Sequence, residues 1–204
     1  MAKVFVITGP SGVGKGTLIQ GLMTCLPELE LSISATTREP RTGERDGVDY
    51  HFMSSSEFQR RLQAGEFVEH ADYAGRRYGT LRSELDRRLR AGSPVVLEIE
   101  VQGARQIRRT MPEAVQVFIA PPSLEDLRLR LEHRGTDDAA EVQRRLAVAE
   151  DELAARSEFE HVVVNDSLER ALELLTEIVQ GSLAKCRAPT SHYTRGQQGK
   201  ATQP

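Results

Sequence analysis

An α/β domain, with a parallel sheet covered by helices on both faces, is the fold this sequence predicts. Three observations carry the prediction. Short continuous apolar runs recur at Val4–Thr8, Pro94–Glu100 and Val115–Ala120, the pattern of strands covered on both faces. Helical patterns separate these runs, and strands alternating with helices favour parallel pairing. A glycine-rich loop joins the first run to the first helical pattern.

Each element has its own signal. Val4–Thr8 is the first strand. Thr17–Leu26 follows as a helix, closed by Pro27, which cannot continue it. Leu29, Leu31, Ile33 and Ala35 alternate with other residues, which predicts one half-buried strand. Thr36 to Tyr50 is polar and contains Pro40, Gly43 and Gly47. Ser54-Ser55-Ser56-Glu57 offers a capping box into a helix that ends near Gly65. Glu66–Tyr73 is extended, and Leu81–Ala91 is helical with Gly92 as a stop signal. After the strands at Pro94–Glu100 and Val115–Ala120, Ser123 opens a helix that runs to His133. Arg134-Gly135-Thr136 breaks it, and a long helix follows from Asp138 to Arg156. Val162–Val164 is a short strand, and Leu168–Leu183 is the last helix. Residues 188–204 have almost no apolar content, so they are expected to form a disordered tail. The polar texture of residues 32–81 marks a small inserted subdomain.

Composition narrows the class. Hydrophobic residues at 39% and charged residues at 28% suit a soluble globular protein, and 204 residues suffice for one domain with a sizeable core. The net charge of -3 lacks the basic field of a nucleic-acid binder. No apolar run is long enough to cross a membrane. Met1-Ala2-Lys3-Val4 leads directly into a strand, the wrong shape for a signal peptide. Two distant cysteines, Cys25 and Cys186, are too few for a disulfide framework or a cysteine zinc site. These features predict a cytoplasmic protein with reduced thiols. His51, His70, His133, His161 and His192 are scattered, without metal-ligand spacing.

The loop Gly9-Pro10-Ser11-Gly12-Val13-Gly14-Lys15 is a phosphate-binding P-loop in its required strand–loop–helix context. Its glycines let backbone N–H groups turn toward phosphate oxygens, and the following helix adds a partial positive charge. Lys15 would reach the β- and γ-phosphates. The usual hydroxyl residue after the lysine is replaced by Gly16, with Thr17 next. Direct Mg²⁺ ligation by a loop hydroxyl is therefore not expected, and Thr17 is assigned to a phosphate. This Gly-Lys-Gly-Thr variant resembles nucleoside monophosphate kinases such as adenylate kinase, where the metal is held mainly by phosphates and water.

Arg38 and Arg41 lie three residues apart around Pro40. Two guanidinium groups so placed can clamp a phosphate, although a solvated basic loop would look the same. The wider pattern resembles guanylate kinase. It comprises Thr36-Thr37-Arg38-x-Pro40-Arg41-x-Gly43-Glu44-x-x-Gly47-x-Asp49-Tyr50-x-Phe52, Glu66-Phe67-x-Glu69, Tyr78-Gly79-Thr80, Leu97-Glu98-Ile99-Glu100-Val101-Gln102-Gly103, Ile119-Ala120-Pro121-Pro122-Ser123, Arg134-Gly135-Thr136 and Val164-Asn165-Asp166. The resemblance covers Lys3 to Lys185.

It implies a P-loop NTPase-type core at about 1–31 and 82–187, with a helical lid near 134–145. Residues 32–81 would be a GMP-binding insertion, all within one unit of 1–187. It also implies the reaction ATP + GMP = ADP + GDP, with Mg²⁺ accompanying ATP. Arg38, Arg41, Tyr50 and Tyr78 would hold the GMP phosphate, and Ser34, Glu69 and Thr80 would read guanine. A carboxylate suits guanine N1–H and its 2-amino group, both of which adenine lacks, so discrimination can be strong. Glu98 and Glu100 would stand at a strand end near the metal and GMP. Arg134 and Arg145 resemble the lid arginines that reach the transferring phosphoryl group. Arg144 is a further candidate, and Asn165 is placed near the adenine of ATP.

Two rivals remain at this stage. One is a non-catalytic guanylate-kinase-like binding module, which usually loses the P-loop lysine or the GMP-reading groups; Lys15, Arg38, Arg41 and Glu69 are all retained. The other is a kinase for a different nucleotide, suggested by Gly16-Thr17 and opposed by Glu69.

Overall fold

The computed structural model describes residues 3–73, 75–133 and 139–187. Arg134 and the tail 188–204 lie outside the described residues. In chain order the elements are β1 (Val4–Thr8), α1 (Lys15–Cys25), β2 (Glu30–Leu31), β3 (Ser34–Thr36), β4 (His51–Phe52), α2 (Ser55–Gln63), β5 (Phe67–Tyr73), β6 (Arg76–Leu81), α3 (Arg82–Arg90), β7 (Val95–Glu98), α4 (Val101–Thr110), β8 (Val115–Ala120), α5 (Leu124–His133), α6 (Ala139–Ala154), β9 (His161–Val164) and α7 (Leu168–Arg187).

Five strands form a parallel sheet in the order β2-β7-β1-β8-β9. Residues of β1 alternate between two cores. Phe5 and Ile7 meet Leu18 and Leu22 of α1 and Leu175 and Val179 of α7. Val4 and Val6 meet Ala104 and Ile107 of α4 and Leu85 of α3. A strand buried on both faces needs an unbroken apolar run, which is why β1 shows no alternation in sequence. This is the predicted α/β architecture.

A second sheet, in the order β4-β3-β6-β5, is mixed: β3 and β4 are parallel, while β6 is antiparallel to both β3 and β5. Its apolar side packs on α2 through Ala35, Phe58, Phe67 and Leu81, with the Phe58 and Phe67 rings stacked 4.4 Å apart. Ser54 caps α2 by accepting the Glu57 N–H at 3.1 Å. Only this half of the capping box is seen in the hydrogen bonds; the Glu57 carboxylate turns outward to Arg60 and Arg61.

Two expectations need correction. The alternation from Leu29 to Ala35 does not make one strand. It is split at Ser32-Ile33 into β2, in the parallel sheet, and β3, in the mixed sheet. The chain crosses between layers there, and a period-2 pattern carries no mark of which sheet it faces. The strand expected over Pro94–Glu100 ends at Glu98, and Glu100 is the cap residue just before α4. Glu98 and Glu100 therefore stand on different elements.

Candidate active site

The P-loop is built by close packing. Gly9, Gly12 and Gly14 all have positive φ, at 141°, 85° and 100°, where side chains are strained. A Cβ on Gly9 would overlap the Ile119 carbonyl oxygen, and one on Gly14 would lie 2.7 Å from the Asn165 amide nitrogen. From behind, Asn165 Nδ2 donates to the Val13 carbonyl at 2.8 Å. Arg130 donates to the same carbonyl at 3.2 Å and to the Asn165 carbonyl at 2.8 Å. Asn165 is buried and braces the loop; its side chain is not among those facing the cavity.

Lys15 opens α1 and is 9% exposed. Its ammonium donates to the Gly9 carbonyl at 2.5 Å and the Pro10 carbonyl at 3.3 Å. The loop thus holds the cation at its mouth. Gly16 leaves space at the start of the helix: a Cβ built there would sit 4.0 Å from Glu98 Oε2.

The mixed sheet supplies the other end. Its register places Thr80 opposite Ser34 on one side and Glu69 on the other, and places Tyr78 opposite Thr36. The alignment of Glu69 depends on a bulge, because the pairing steps from Phe67–Leu81 to Glu69–Thr80 and leaves Val68 as the extra residue. Glu69 is 3% exposed, and Thr80 donates its hydroxyl to Glu69 Oε1 at 2.8 Å. Burial pushes the Glu69 carboxyl up to about 7; the Thr80 hydrogen bonds oppose that rise and the charge of Glu100 adds to it.

In the neighbouring loop, Arg38 is gripped by Glu44, with NH1 donating to Oε2 at 2.9 Å and NH2 to Oε1 at 2.8 Å. The same carboxylate accepts the Arg41 backbone N–H at 2.7 Å. The Arg38 guanidinium lies over the Tyr50 ring at 5.2 Å from its centroid, and Tyr50 meets Tyr78 edge-on at 6.2 Å. Bonding to Arg38 lowers the Glu44 pKa and raises that of Arg38.

A single cavity of about 700 Å³ connects the two ends. Pro10, Ser11, Gly12, Gly14, Lys15, Gly16 and Thr17 line it at one side. Ser34, Arg38, Arg41, Tyr50, Glu69 and Tyr78 line it at the other, with Glu98, Glu100 and Arg145 between them. Gly9 and Val13 shape the loop without lining the cavity, and Thr80 is buried behind Glu69. Arg145 reaches the cavity, whereas Arg144, one position along α6, is exposed and does not line it.

Several residues escaped sequence reasoning. Glu44 is one, although its place three residues after Arg41 in a tight loop was a usable signal. Arg130 and Tyr73 are others; Tyr73 lines the cavity and faces Ser11. Glu152 of α6 is buried, at 8% exposed. Burial and the facing Glu100 carboxyl push its pKa well above the usual carboxylate range, against the pull of Lys15 and the Ser11 backbone N–H. It lies seven residues after Arg145, two helical turns along the same face, and that spacing was legible. Among the described residues, no cluster of three or more His, Cys, Asp or Glu can hold a metal ion, and no helix is long and apolar enough to cross a membrane.

Known proteins resemble this chain in sequence and in fold. The guanylate kinase family model matches residues 1–182. A guanylate kinase from Synechococcus sp. (strain CC9311) is 52% identical over 172 residues, covering 84% of this chain and 90% of that protein. One from Rubrobacter xylanophilus is 50% identical over 182 residues, covering 89% and 95%. The crystal structure of guanylate kinase from Anaplasma phagocytophilum superposes with a TM-score of 0.73 at 32% identity, covering 88% of this chain and 85% of that one. With the family model spanning nearly the whole described fold, the chain belongs to the guanylate kinase family.

Proposed function

We infer that the protein catalyses ATP + GMP = ADP + GDP. The observation that carries this reading is the shared cavity, with a P-loop at one end and a buried carboxylate paired with a hydroxyl at the other. Family membership supports it directly, and no observation favours a binding module or another nucleotide.

In this reading ATP lies along the loop from Gly9 to Thr17, with its phosphates on the backbone N–H groups and Lys15. Asn165 acts by holding that loop in shape. GMP enters from the mixed sheet. Arg38, Arg41, Tyr50 and Tyr78 take its phosphate, Ser34 and Glu69 read guanine, and Thr80, buried off the cavity, serves that reading through its hydroxyl bond to Glu69. A phosphate oxygen of GMP attacks the γ-phosphorus, the bond to the β–γ bridging oxygen breaks, and ADP leaves. The attacking oxygen is already anionic, so no strong general base is needed. Positioning and charge neutralisation carry the rate. Lys15 and Arg145 face the phosphoryl group in flight, and Arg134 is assigned to the same task by resemblance.

The donor set suits a hydrated Mg²⁺. Gly16 offers no hydroxyl, and Glu98 stands beside it, where its carboxylate can accept hydrogen bonds from metal-bound water. Glu100 faces the acceptor side. The metal, when bound, supplies neutralisation of the phosphate charge. We assign residues 1–31 and 82–187 to the nucleotide-binding core, 32–81 to the GMP-binding insertion and 134–145 to a lid that excludes water on closure. A cytoplasmic setting fits these small-molecule substrates.

An acceptor panel with ATP and Mg²⁺ tests the assignment. GMP should give GDP and ADP in equal amounts, and AMP should be a poor acceptor. If AMP were the better acceptor, the guanine reading would fall.

A further inference from the structure

We propose that base selectivity is set from outside the mixed sheet, by Gly103 and Gln106 of helix α4, which fix where the Glu69 carboxylate sits. The inference rests on the reading of Glu69 as the guanine-facing group and deepens it. Gly103 occupies the first turn of α4. A Cβ built on it would overlap Glu69 Oε2 and come within 2.9 Å of Cδ and 3.4 Å of Cγ. Glycine inside a helix costs about 1 kcal/mol relative to alanine, so helix formation gives no reason for it here. The space it leaves is filled by the carboxylate.

Gln106, three residues further along α4, keeps the helix at that distance. Its Nε2 donates to the His70 carbonyl at 2.6 Å, and its Oε1 accepts the His70 N–H at 3.2 Å. One side chain thus completes both backbone groups of the residue next to Glu69, as a neighbouring strand would. Gly79 makes similar room from the other side, since a Cβ there would lie 2.8 Å from the Glu69 backbone oxygen. Thr80 holds Oε1. The carboxylate is therefore bounded by a hydroxyl on one oxygen and by a bare helix backbone at the other.

An alanine at position 103 must be relieved by some movement, and the far end of a flexible side chain yields most easily. The fold survives, and the Glu69 carboxylate is displaced toward the base. Gly103 and Gln106 act through Glu69, so they are positioning residues.

The test is steady-state kinetics of Gly103→Ala and Gln106→Ala with GMP and with IMP, which lacks the 2-amino group. For Gly103→Ala the GMP KM should rise about tenfold or more, with the ATP KM within about twofold of wild type and the GMP-over-IMP preference reduced. Gln106→Ala should show the same pattern at about threefold, since removing the clamp only loosens the helix. In a Glu69→Ala background, Gly103→Ala should add nothing to the GMP defect, because its effect runs through the missing carboxylate. An unchanged GMP KM and GMP-over-IMP ratio in Gly103→Ala overturns the proposal, and so does a defect that adds fully to that of Glu69→Ala. If Gly103→Ala does not fold, as judged by thermal melting, Gln106→Ala decides: wild-type GMP kinetics overturn the proposal. Failure of the wild-type enzyme to phosphorylate GMP would instead strike the functional reading itself.

Discussion

The two ends of the cavity are built on opposite plans. At the P-loop end, the wall is made of backbone: three positive-φ glycines, Gly9, Gly12 and Gly14, shape a loop seated on the parallel sheet, and Val13 is held from behind by Asn165 and Arg130. At the other end, the proposed acceptor end, the cavity wall is made of side chains on short strands whose own core is little more than Ala35, Phe58, Phe67 and Leu81. Phosphate is common to all nucleotides, so a backbone cradle suffices for it. A base must be told from other bases, which takes side-chain donors and acceptors at fixed positions. In the proposed reading, chemistry rests on the deep core and discrimination on the small sheet.

Substitutions at the two ends should therefore fail differently. The largest effect is expected from Glu69→Ala, which should lower kcat/KM for GMP by about a thousandfold while leaving the ATP KM near wild type. An equal loss for both substrates would erase the division between the ends. Lys15→Ala should lower kcat by about a hundredfold or more with either acceptor, in a protein that still melts cooperatively. Near-normal turnover would remove Lys15 from the chemistry. Glu44→Ala should raise the GMP KM by about tenfold, because Arg38 loses the bidentate partner that aims it. Isothermal titration with GMP checks this independently of turnover.

The acceptor end should also respond to pH. Reading guanine N1–H requires an ionised Glu69, and its pKa is raised from 4.5 to about 7. GMP affinity should therefore weaken by up to about tenfold for each pH unit below 7, and the dependence should vanish in Glu69→Gln. The same shift acts on folding. Between pH 4.5 and 7 the folded state holds this proton more often than the unfolded state, so Glu69 lowers stability as pH rises through that window. The smallest effect expected is that of Ser54→Ala, which removes the cap of α2 and should cost about 1 kcal/mol. Thermal melting would register it with unchanged ATP kinetics.

Sequence reasoning reached these two ends unequally. The P-loop was legible because a contiguous motif encodes a contiguous structure. The parallel core was legible because strands buried on both faces leave unbroken apolar runs. The acceptor residues came into view through resemblance rather than periodicity. The split of Leu29–Ala35 between two sheets was hidden, since Leu31 and Ala35 have the same character whichever sheet receives them. Arg130 was hidden because it comes from a distant helix and only folding brings it to Val13; the spacing of Glu152 from Arg145 was legible, but its meeting with Glu100 was not. The bulge at Val68 was equally silent, because nothing in Phe67-Val68-Glu69 distinguishes a paired valine from an extra one.

That bulge has a bearing on how such an enzyme can change over generations. Ser34, Thr80 and Glu69 meet because the strands are counted off with one residue to spare. Point changes at these positions alter the chemistry of the row and leave the count intact. A one-residue insertion or deletion in β5 that no bulge absorbs turns every later side chain to the opposite face. Substitution at Ser34, Thr80 and Glu69 is thus the route to a new acceptor base that keeps this row aligned.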